Sequence, residues 1–235
     1  MVSREQSPPI FLTCKHAVNF ILAAGLLCFL VQSGYQRDVC LHALRIYSLS
    51  VIGIGFISRL LQERAVPGRS GPSDGYICGL PKGKTKKSSK VVEVVVVALL
   101  SICSIIFTHV VTVLFGAYVI ENVEETFTFS ILVASLAFIR PLVTLGPSAF
   151  IIILERLSLE EESDVKCCSV LFGAWLGAIP IPLDWDTPWQ ILFTLQVWPF
   201  TCSIGAVLGE MVATLCFLAK LWTLGDLDSK KNKAT

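Results

Sequence analysis

Few residues in this sequence are of types that perform catalysis, and they form no familiar catalytic pattern. The three histidines, His16, His42 and His109, lie far apart in different segments. A metal centre needs three or four convergent ligands. The sequence contains none of the common catalytic motifs: those of zinc proteases, nucleophile elbows, phosphate loops, dinucleotide-binding turns and membrane alcohol-phosphotransferases. The sequence therefore offers no candidate catalytic, cofactor or metal residue.

Two aspartates come closest to a catalytic pair. Asp184 and Asp186 flank Trp185 in a turn-forming stretch, and paired carboxylates on a turn can act in general acid–base catalysis. No nucleophile or histidine cluster accompanies them in the sequence. We interpret the two aspartates as a water-facing contact for a partner or a lipid, with catalysis as the alternative.

Several charged residues lie within apolar runs, where charge is costly in lipid. Glu210 lies deep in its run, between glycine and methionine. We predict that it makes a polar contact to another helix, a lipid headgroup or a partner subunit, with a structural hydrogen bond within the bundle as the alternative. Arg45 and Arg140 lie nearer the ends of their runs, and we expect them to reach the headgroups.

The composition indicates the solvent in which these residues work. Hydrophobic residues make up 54% of the 235 positions and charged residues only 16%, and the mean hydropathy is +0.70. Soluble domains are about 25% charged. The net charge of +1 argues against nucleic acid as a partner. The chain is therefore predicted to be an integral membrane protein.

Six apolar runs approach the length of about 20 residues that a spanning helix needs. They are 17–33, 41–61, 91–117, 126–145, 166–183 and a run within 191–222. The predicted fold is an all-α, polytopic membrane helix bundle with about six transmembrane helices. Its predicted segments are an N-terminal segment 1–16, two helices in 17–61, a basic flexible loop 62–90, four helices in 91–222 with a cap at 184–190, and a tail 223–235.

The distribution of basic residues predicts the orientation. The 62–90 loop carries seven of them: Arg64, Arg69, Lys82, Lys84, Lys86, Lys87 and Lys90. This loop is therefore expected in the cytosol, and an even number of spans then places both termini there as well.

The C-terminal tail carries a second signal. Lys231 and Lys233 stand five and three residues from the end, which resembles the dilysine address that retrieves proteins to the endoplasmic reticulum. The alternative is an ordinary basic cytosolic tail. We expect a protein of the endoplasmic reticulum membrane.

Small residues spaced four apart predict where helices pack closely. Gly173 and Gly177 lie on the fifth run, and Gly205 and Gly209 lie on the sixth. Such spacing lets two backbones approach and gain van der Waals contact in lipid. We expect the fifth and sixth helices to pack on each other, or one of them on a partner.

Prolines and tryptophans surround the predicted cap between these two helices. Prolines end a helix and stiffen the turn, and tryptophans favour the membrane interface. The contact candidates in and around the cap are Trp175, Pro180, Pro182, Asp184, Trp185, Asp186, Pro188, Trp189 and Trp198. The pattern predicts a rigid, aromatic lumenal cap that contacts a partner or lipid.

The same region resembles a known family. The signature of the PIG-F family is closely similar to the run GAWLGAIPIPLDWDTPWQ at 173–190, followed by VWPFTCSIGAVLG. The family's middle region resembles FGAYVIENVEETF, together with LGPS at 145–148. The likeness is strong over 110–215. The sequence departs from the family at one place. The family continues directly from W-Q to V-W-P, whereas here the six residues Ile191–Gln196 intervene. A splice variant or a gene-model variant would produce such an insertion.

The resemblance implies a function that the residues alone do not give. PIG-F proteins are non-catalytic membrane subunits that bind and stabilise the ethanolamine-phosphate transferases PIG-O and PIG-G. Those enzymes hold the metal and add phosphoethanolamine to the mannoses of the glycosylphosphatidylinositol (GPI) anchor. Two alternatives stay open: a protein that binds or presents phosphatidylethanolamine or the GPI precursor, and a membrane phosphoethanolamine transferase in its own right.

Overall fold

The computed structural model describes residues 9–33, 36–65, 90–117, 123–146, 162–179 and 200–233, and their regular structure is entirely helical. The helices are α1 (Pro9–Gln32), α2 (Arg37–Ala65), α3 (Lys90–Leu114), α4 (Val123–Val133), α5 (Arg140–Leu145), α6 (Glu162–Ala178) and α7 (Phe200–Lys233). A π-helical segment, Ala134–Ile139, joins α4 to α5. These three pieces form one continuous rod.

Five of the described helical rods are long and apolar enough to cross a membrane: Thr13–Gln32, Asp38–Leu61, Val94–Leu114, Val123–Thr144 and Phe200–Thr223. The sixth, α6, has 17 residues, at the lower limit for a span. Residues 180–183, the predicted end of this span, lie outside the described residues. The all-α membrane bundle predicted from the sequence is confirmed.

The third span shows how lipid decides secondary structure. Its first turns contain the β-branched run VVEVVVV, which favours a strand in water. In lipid, an open strand edge leaves backbone groups without hydrogen bonds, whereas a helix satisfies them internally. The run accordingly begins α3.

The α4–α5 rod lies at the centre of the bundle. Of the span Val123–Thr144, 83% is buried within the protein, whereas the figure for Val94–Leu114 of α3 is 11%. Leu132, Leu136 and Leu142 of the rod are almost completely buried. α3 instead presents large apolar side chains outward, as a helix at the edge of the bundle does in lipid.

The last helix extends further than predicted. It begins at Phe200, directly after Pro199, and continues to Lys233, well into the segment 223–235 that was predicted to be the tail. A proline is well suited to precede a helix because it lacks a backbone N–H. The preceding residues, 180–199, are outside the description.

Candidate functional site

Five charged side chains from four helices form a continuous series inside the bundle, hereafter the charge series: Lys15, Glu162, Lys166, Glu210 and Arg140. They alternate in sign in that order. Lys15 lies on α1, Glu162 and Lys166 lie on α6, Glu210 lies on α7, and Arg140 begins α5. The series ties together four helices that are far apart in the chain.

The distances are those of ion pairs. The Lys15 Nζ–Glu162 Oε1 distance is 3.5 Å, and Lys166 Nζ lies 3.0 Å from the same oxygen. Lys166 Nζ also lies 3.6 Å from Glu210 Oε1. Arg140 Nη1 donates a hydrogen bond to that same Glu210 oxygen. Lys166 therefore bridges the two carboxylates.

A local irregularity places Arg140. Pro141 follows it and supplies no backbone N–H to the preceding turn. The Arg140 N–H donates to Ser135 O, five residues back, instead of the usual four. This wider π-helical turn changes the direction in which the following side chains project. Arg140 thereby meets Glu210 of α7.

The charged side chains in the middle of the series are buried, so each needs an opposite charge beside it. Exposed fractions of the side chains are 5% for Arg140, 1% for Glu210 and 4% for Lys166. An ion taken out of water loses several kcal/mol of hydration unless an opposite charge compensates. Lys15 and Glu162, at 11% and 29%, form the end of the series that reaches the surface.

His16 supports the middle of the series. Its Nδ1 lies 3.4 Å from Lys166 Nζ and its Nε2 lies 3.6 Å from Glu162 Oε2. Because an ammonium group only donates, Nδ1 is the acceptor and Nε2 carries the proton in the neutral ring. The ring also stacks on Phe217 of α7, with 6.0 Å between centroids.

Electrostatics keep Glu162 ionised at the surface end. Burial by itself raises the pKa of this carboxyl, but the neighbouring ammonium groups of Lys166 and Lys15 oppose it and together lower the pKa below its ordinary value. Glu162 therefore remains a carboxylate and holds both lysines.

A smaller polar contact lies at the opposite end of the bundle. Arg45 of α2 donates to Glu124 Oε1 at 2.6 Å and to Thr128 Oγ1 at 3.0 Å, both on α4. The Arg45 and Glu124 side chains are 32% and 62% exposed. Arg45 thus stays near the surface.

α6 and α7 pack backbone to backbone at the glycines singled out from the sequence. A Cβ atom added at Gly205 would lie 2.2 Å from Gly173 O, and one at Gly177 would lie 2.3 Å from Thr201 O. At Gly209 the corresponding distance to Ser169 O is 2.0 Å. Only glycine permits this approach, which also brings Glu210 close to Lys166.

Only some of the predicted contact residues fall within the part of the chain that the structure describes. Trp175 is on α6, 57% exposed, and stacks on Phe172. Lys231 and Lys233 lie in the last turns of α7, with side chains outside the described part. The residues in and after the predicted cap lie outside the described residues altogether. They are Pro180, Pro182, Asp184, Trp185, Asp186, Pro188, Trp189, Trp198 and the segment Ile191–Gln196.

One expectation about a charged residue was wrong. Arg140 was expected to reach the headgroups, but it is buried and bonded to Glu210. Glu210 itself contacts α5 and α6 of the same chain. The physical reason is that the Glu210 carboxylate lies within hydrogen-bond distance of Arg140 and compensates its charge inside the bundle.

Sequence reasoning missed the roles of Lys15, His16, Glu162 and Lys166. A signal was present, because Glu210 and Arg140 both lie inside apolar runs and Lys166 begins another. Opposite charges in different membrane helices are expected to pair.

Among the residues described, no three His, Cys, Asp or Glu side chains converge in a metal-binding group.

The fold and this buried series of charges define a polytopic α-helical membrane protein in which ion pairs link several helices. The family described as GPI biosynthesis protein family Pig-F matches residues 12–217. The chain belongs to this Pig-F family of GPI biosynthesis proteins.

Curated relatives agree with this assignment. The mouse and human proteins named GPI ethanolamine phosphate transferase, stabilizing subunit, are each 33% identical over 156 residues, covering 63% of this chain and 68% of theirs. Glycosylphosphatidylinositol anchor biosynthesis protein 11 of Yarrowia lipolytica is 35% identical over 161 residues, covering 66% of this chain and 69% of its own. No solved structure matches the chain.

Proposed function

We propose that this chain is the stabilising, non-catalytic subunit of a GPI ethanolamine phosphate transferase. The observation that carries the proposal is the family match over residues 12–217, together with mammalian relatives named as that subunit. The bundle suits the role, because its helices are fixed to one another by ion pairs and close packing. Such a bundle presents a rigid surface to the membrane helices of an enzyme.

The finer proposal concerns partner and place. The partners are transferases of the PIG-O and PIG-G type, and the complex resides in the endoplasmic reticulum membrane with both termini of this chain in the cytosol. The cap at 184–190 then faces the lumen. Its aspartates and tryptophans are positioned in the sequence to contact the partner's lumenal domain.

Replacing Asp184 and Asp186 together with asparagine tests the cap. We expect less transferase to co-purify with the variant, while turnover per assembled complex stays within about twofold of wild type, because an accessory contact touches no reacting atom. Trp185→Ala and Trp189→Ala should reduce association in the same way through lost contact area. Quantitative mass spectrometry of the isolated complex, with activity normalised to transferase, provides the measurement.

A catalytic pair would behave differently. Loss of an essential acid or base typically lowers the rate by about 10²–10⁴-fold, and assembly would survive. Trp222→Ala is the matched control, because Trp222 is an exposed tryptophan on α7 that is not among the predicted contact residues. Intact assembly with inactive complexes would overturn the non-catalytic proposal.

Deleting Ile191–Gln196 should raise association if this segment disturbs the cap.

The topology makes a separate prediction. A glycosylation acceptor engineered into the 62–90 loop should remain unmodified in cells, because seven basic residues favour the cytosolic side. A gel-mobility assay with endoglycosidase treatment reads the result. Efficient modification of the loop would contradict cytosolic termini.

The C-terminal lysines predict retention. Replacing Lys231 and Lys233 with serine should move a fraction of the protein past the endoplasmic reticulum without changing transferase activity per complex. Microscopy and acquired resistance of an engineered glycan to endoglycosidase H measure the shift. Unchanged localisation when the chain is expressed without excess partner would show that the lysines are an ordinary basic tail.

A further inference from the structure

The innermost ion pair of the charge series leaves two atoms without a hydrogen bond. The contacts of Glu210 among the described residues all go to Oε1, from Arg140 Nη1, Lys166 Nζ and Thr214 Oγ1. Glu210 Oε2 and Arg140 Nη2 are buried and make no hydrogen bond within the described part of the chain. A buried polar group without a partner costs about 1–3 kcal/mol, and more if it is charged. The pair therefore needs a further hydrogen-bonding group.

The same shortage recurs toward the surface. His16 Nε2 and Asn19 Oδ1 lie one turn apart on α1, and both are buried without a hydrogen bond to any described residue. His16 Nε2 is a donor in the neutral ring, and Asn19 Oδ1 is an acceptor. The Asn19 amide donates to Lys15 O, which holds it over the turn that begins at Lys15. Unpaired donors and acceptors thus accompany both ends of the series.

Two contacts in the series are also longer than direct bonds between charged groups, which are usually about 2.7–2.9 Å. Lys166 Nζ lies 3.6 Å from Glu210 Oε1. His16 Nε2 lies 3.6 Å from Glu162 Oε2. A water molecule beside such a pair can bond to both partners, with an enthalpy close to that of a direct hydrogen bond. These distances therefore suit contacts that water supplements.

The pattern of charge selects the kind of molecule that completes the series. Cations and carboxylates alternate along it, so an added ion of either sign would lie beside a like charge. Asp164 of α6 and Glu125 of α4 add buried carboxylates on the surrounding helices. A neutral molecule that both donates and accepts suits all four unpaired atoms. Buried water has these properties and typically makes about three hydrogen bonds.

The series also gives water a route into the bundle. Glu162, the first residue of α6, is 29% exposed. At the other end, Glu210 lies near the midpoint of the span Phe200–Thr223. Polar side chains line the whole distance between them, so water that enters at Glu162 meets hydrogen-bonding groups as far as Glu210.

We propose that a chain of bound water molecules follows the charge series from Glu162 to the pair of Arg140 and Glu210. The innermost water accepts from Arg140 Nη2 and donates to Glu210 Oε2. The outermost water accepts from His16 Nε2 and donates to Glu162 Oε2. These bonds restore part of the hydration that the ions lose on burial. The water chain belongs to this protein alone and does not depend on a transferase.

X-ray hydroxyl-radical footprinting of the purified full chain in phosphatidylcholine nanodiscs tests the water chain. Radiolysis makes each bound water a source of radicals, which oxidise the side chains beside it, and mass spectrometry locates the oxidised residues. His16 is the outer probe. Tyr47 of α2 is the inner probe, because the charges of Arg140 and Glu210 act on its hydroxyl.

Phe129 of α4 is the control residue, because it packs in the apolar core. Tyr47 and Phe129 are 5% and 8% exposed, so access from outside the bundle does not favour Tyr47. After correction for the intrinsic reactivity of each side chain, we expect oxidation of His16 and Tyr47 and none of Phe129.

The double variant Arg140→Met with Glu210→Leu removes the partners of the innermost water. Oxidation of Tyr47 should fall to the level of Phe129, while oxidation of His16 persists, because the outer end is unchanged. If this variant does not fold, the wild-type contrast between Tyr47 and Phe129 decides the proposal.

Arg45→Met with Glu124→Leu is the matched control variant. It removes a more exposed ion pair of α2 and α4, at the opposite end of the bundle, and should leave oxidation of His16 and Tyr47 unchanged.

Three results would overturn the proposal. One is a wild-type chain in which His16 and Tyr47 are oxidised no more than Phe129, which indicates a dry series. Another is equal oxidation of all three residues, which indicates general leakage of water into the bundle. The third is undiminished oxidation of Tyr47 in the folded double variant. Because no transferase is present, none of these results bears on the stabilising role.

Discussion

Replacing Glu210 with leucine should destabilise the purified protein by about 3–5 kcal/mol, because it leaves the buried guanidinium of Arg140 without its carboxylate. The double variant Arg140→Met with Glu210→Leu should recover most of that loss, since a buried ion pair replaced by apolar side chains is often nearly neutral. Thermal unfolding in detergent of wild type, both single variants and the double variant gives the coupling energy.

The pair formed by Arg45 and Glu124 is the control for this cycle. Both side chains are partly or largely exposed, so Glu124→Leu should cost about 0–1 kcal/mol. If Glu210→Leu is no more harmful than Glu124→Leu, the charge series does not hold the bundle together. If the double variant is as unstable as the sum of the two single variants, Arg140 and Glu210 are not energetically coupled.

Alanine at Gly205 should separate α6 from α7. The added Cβ would meet the Gly173 carbonyl at 2.2 Å, so the backbones must move apart, and overpacking of this kind costs about 1–3 kcal/mol. The same shift lengthens the contact between Lys166 and Glu210. We expect lower thermal stability and less co-purified transferase in a single set of measurements.

Gly25→Ala provides the comparison. Gly25 is also in a helix, and a Cβ there meets nothing within 4 Å. Both substitutions gain the same helix propensity, about 1 kcal/mol, so the difference between them isolates the interhelical contact. Equal stability of the two variants would show that α6 and α7 do not depend on the glycine contact.

Much of the fold was predictable because lipid imposes simple rules. Apolar runs of sufficient length must form helices, and even the β-branched start of α3 does so. Glycines spaced four apart marked the faces on which α6 and α7 meet. These inferences need only local sequence.

The charge series was not predictable in the same way. Lys15 and Glu162 are 147 positions apart, and no local pattern says that α1 and α6 are neighbours. The π-helical segment adds a residue to one turn, which changes the direction of Arg140 by about 100° relative to a regular helix. From the sequence, the Arg140 side chain was expected to extend toward the headgroups. In the structure it pairs instead with the nearby Glu210 carboxylate.

This chain is proposed to stabilise a transferase without performing the chemistry. The most direct measurement is transferase abundance and activity per transferase molecule in cells with and without this chain. Removing the chain is expected to lower transferase abundance several-fold, while each remaining transferase molecule retains its turnover in detergent extracts. Normal abundance with turnover per molecule lowered by orders of magnitude would contradict it.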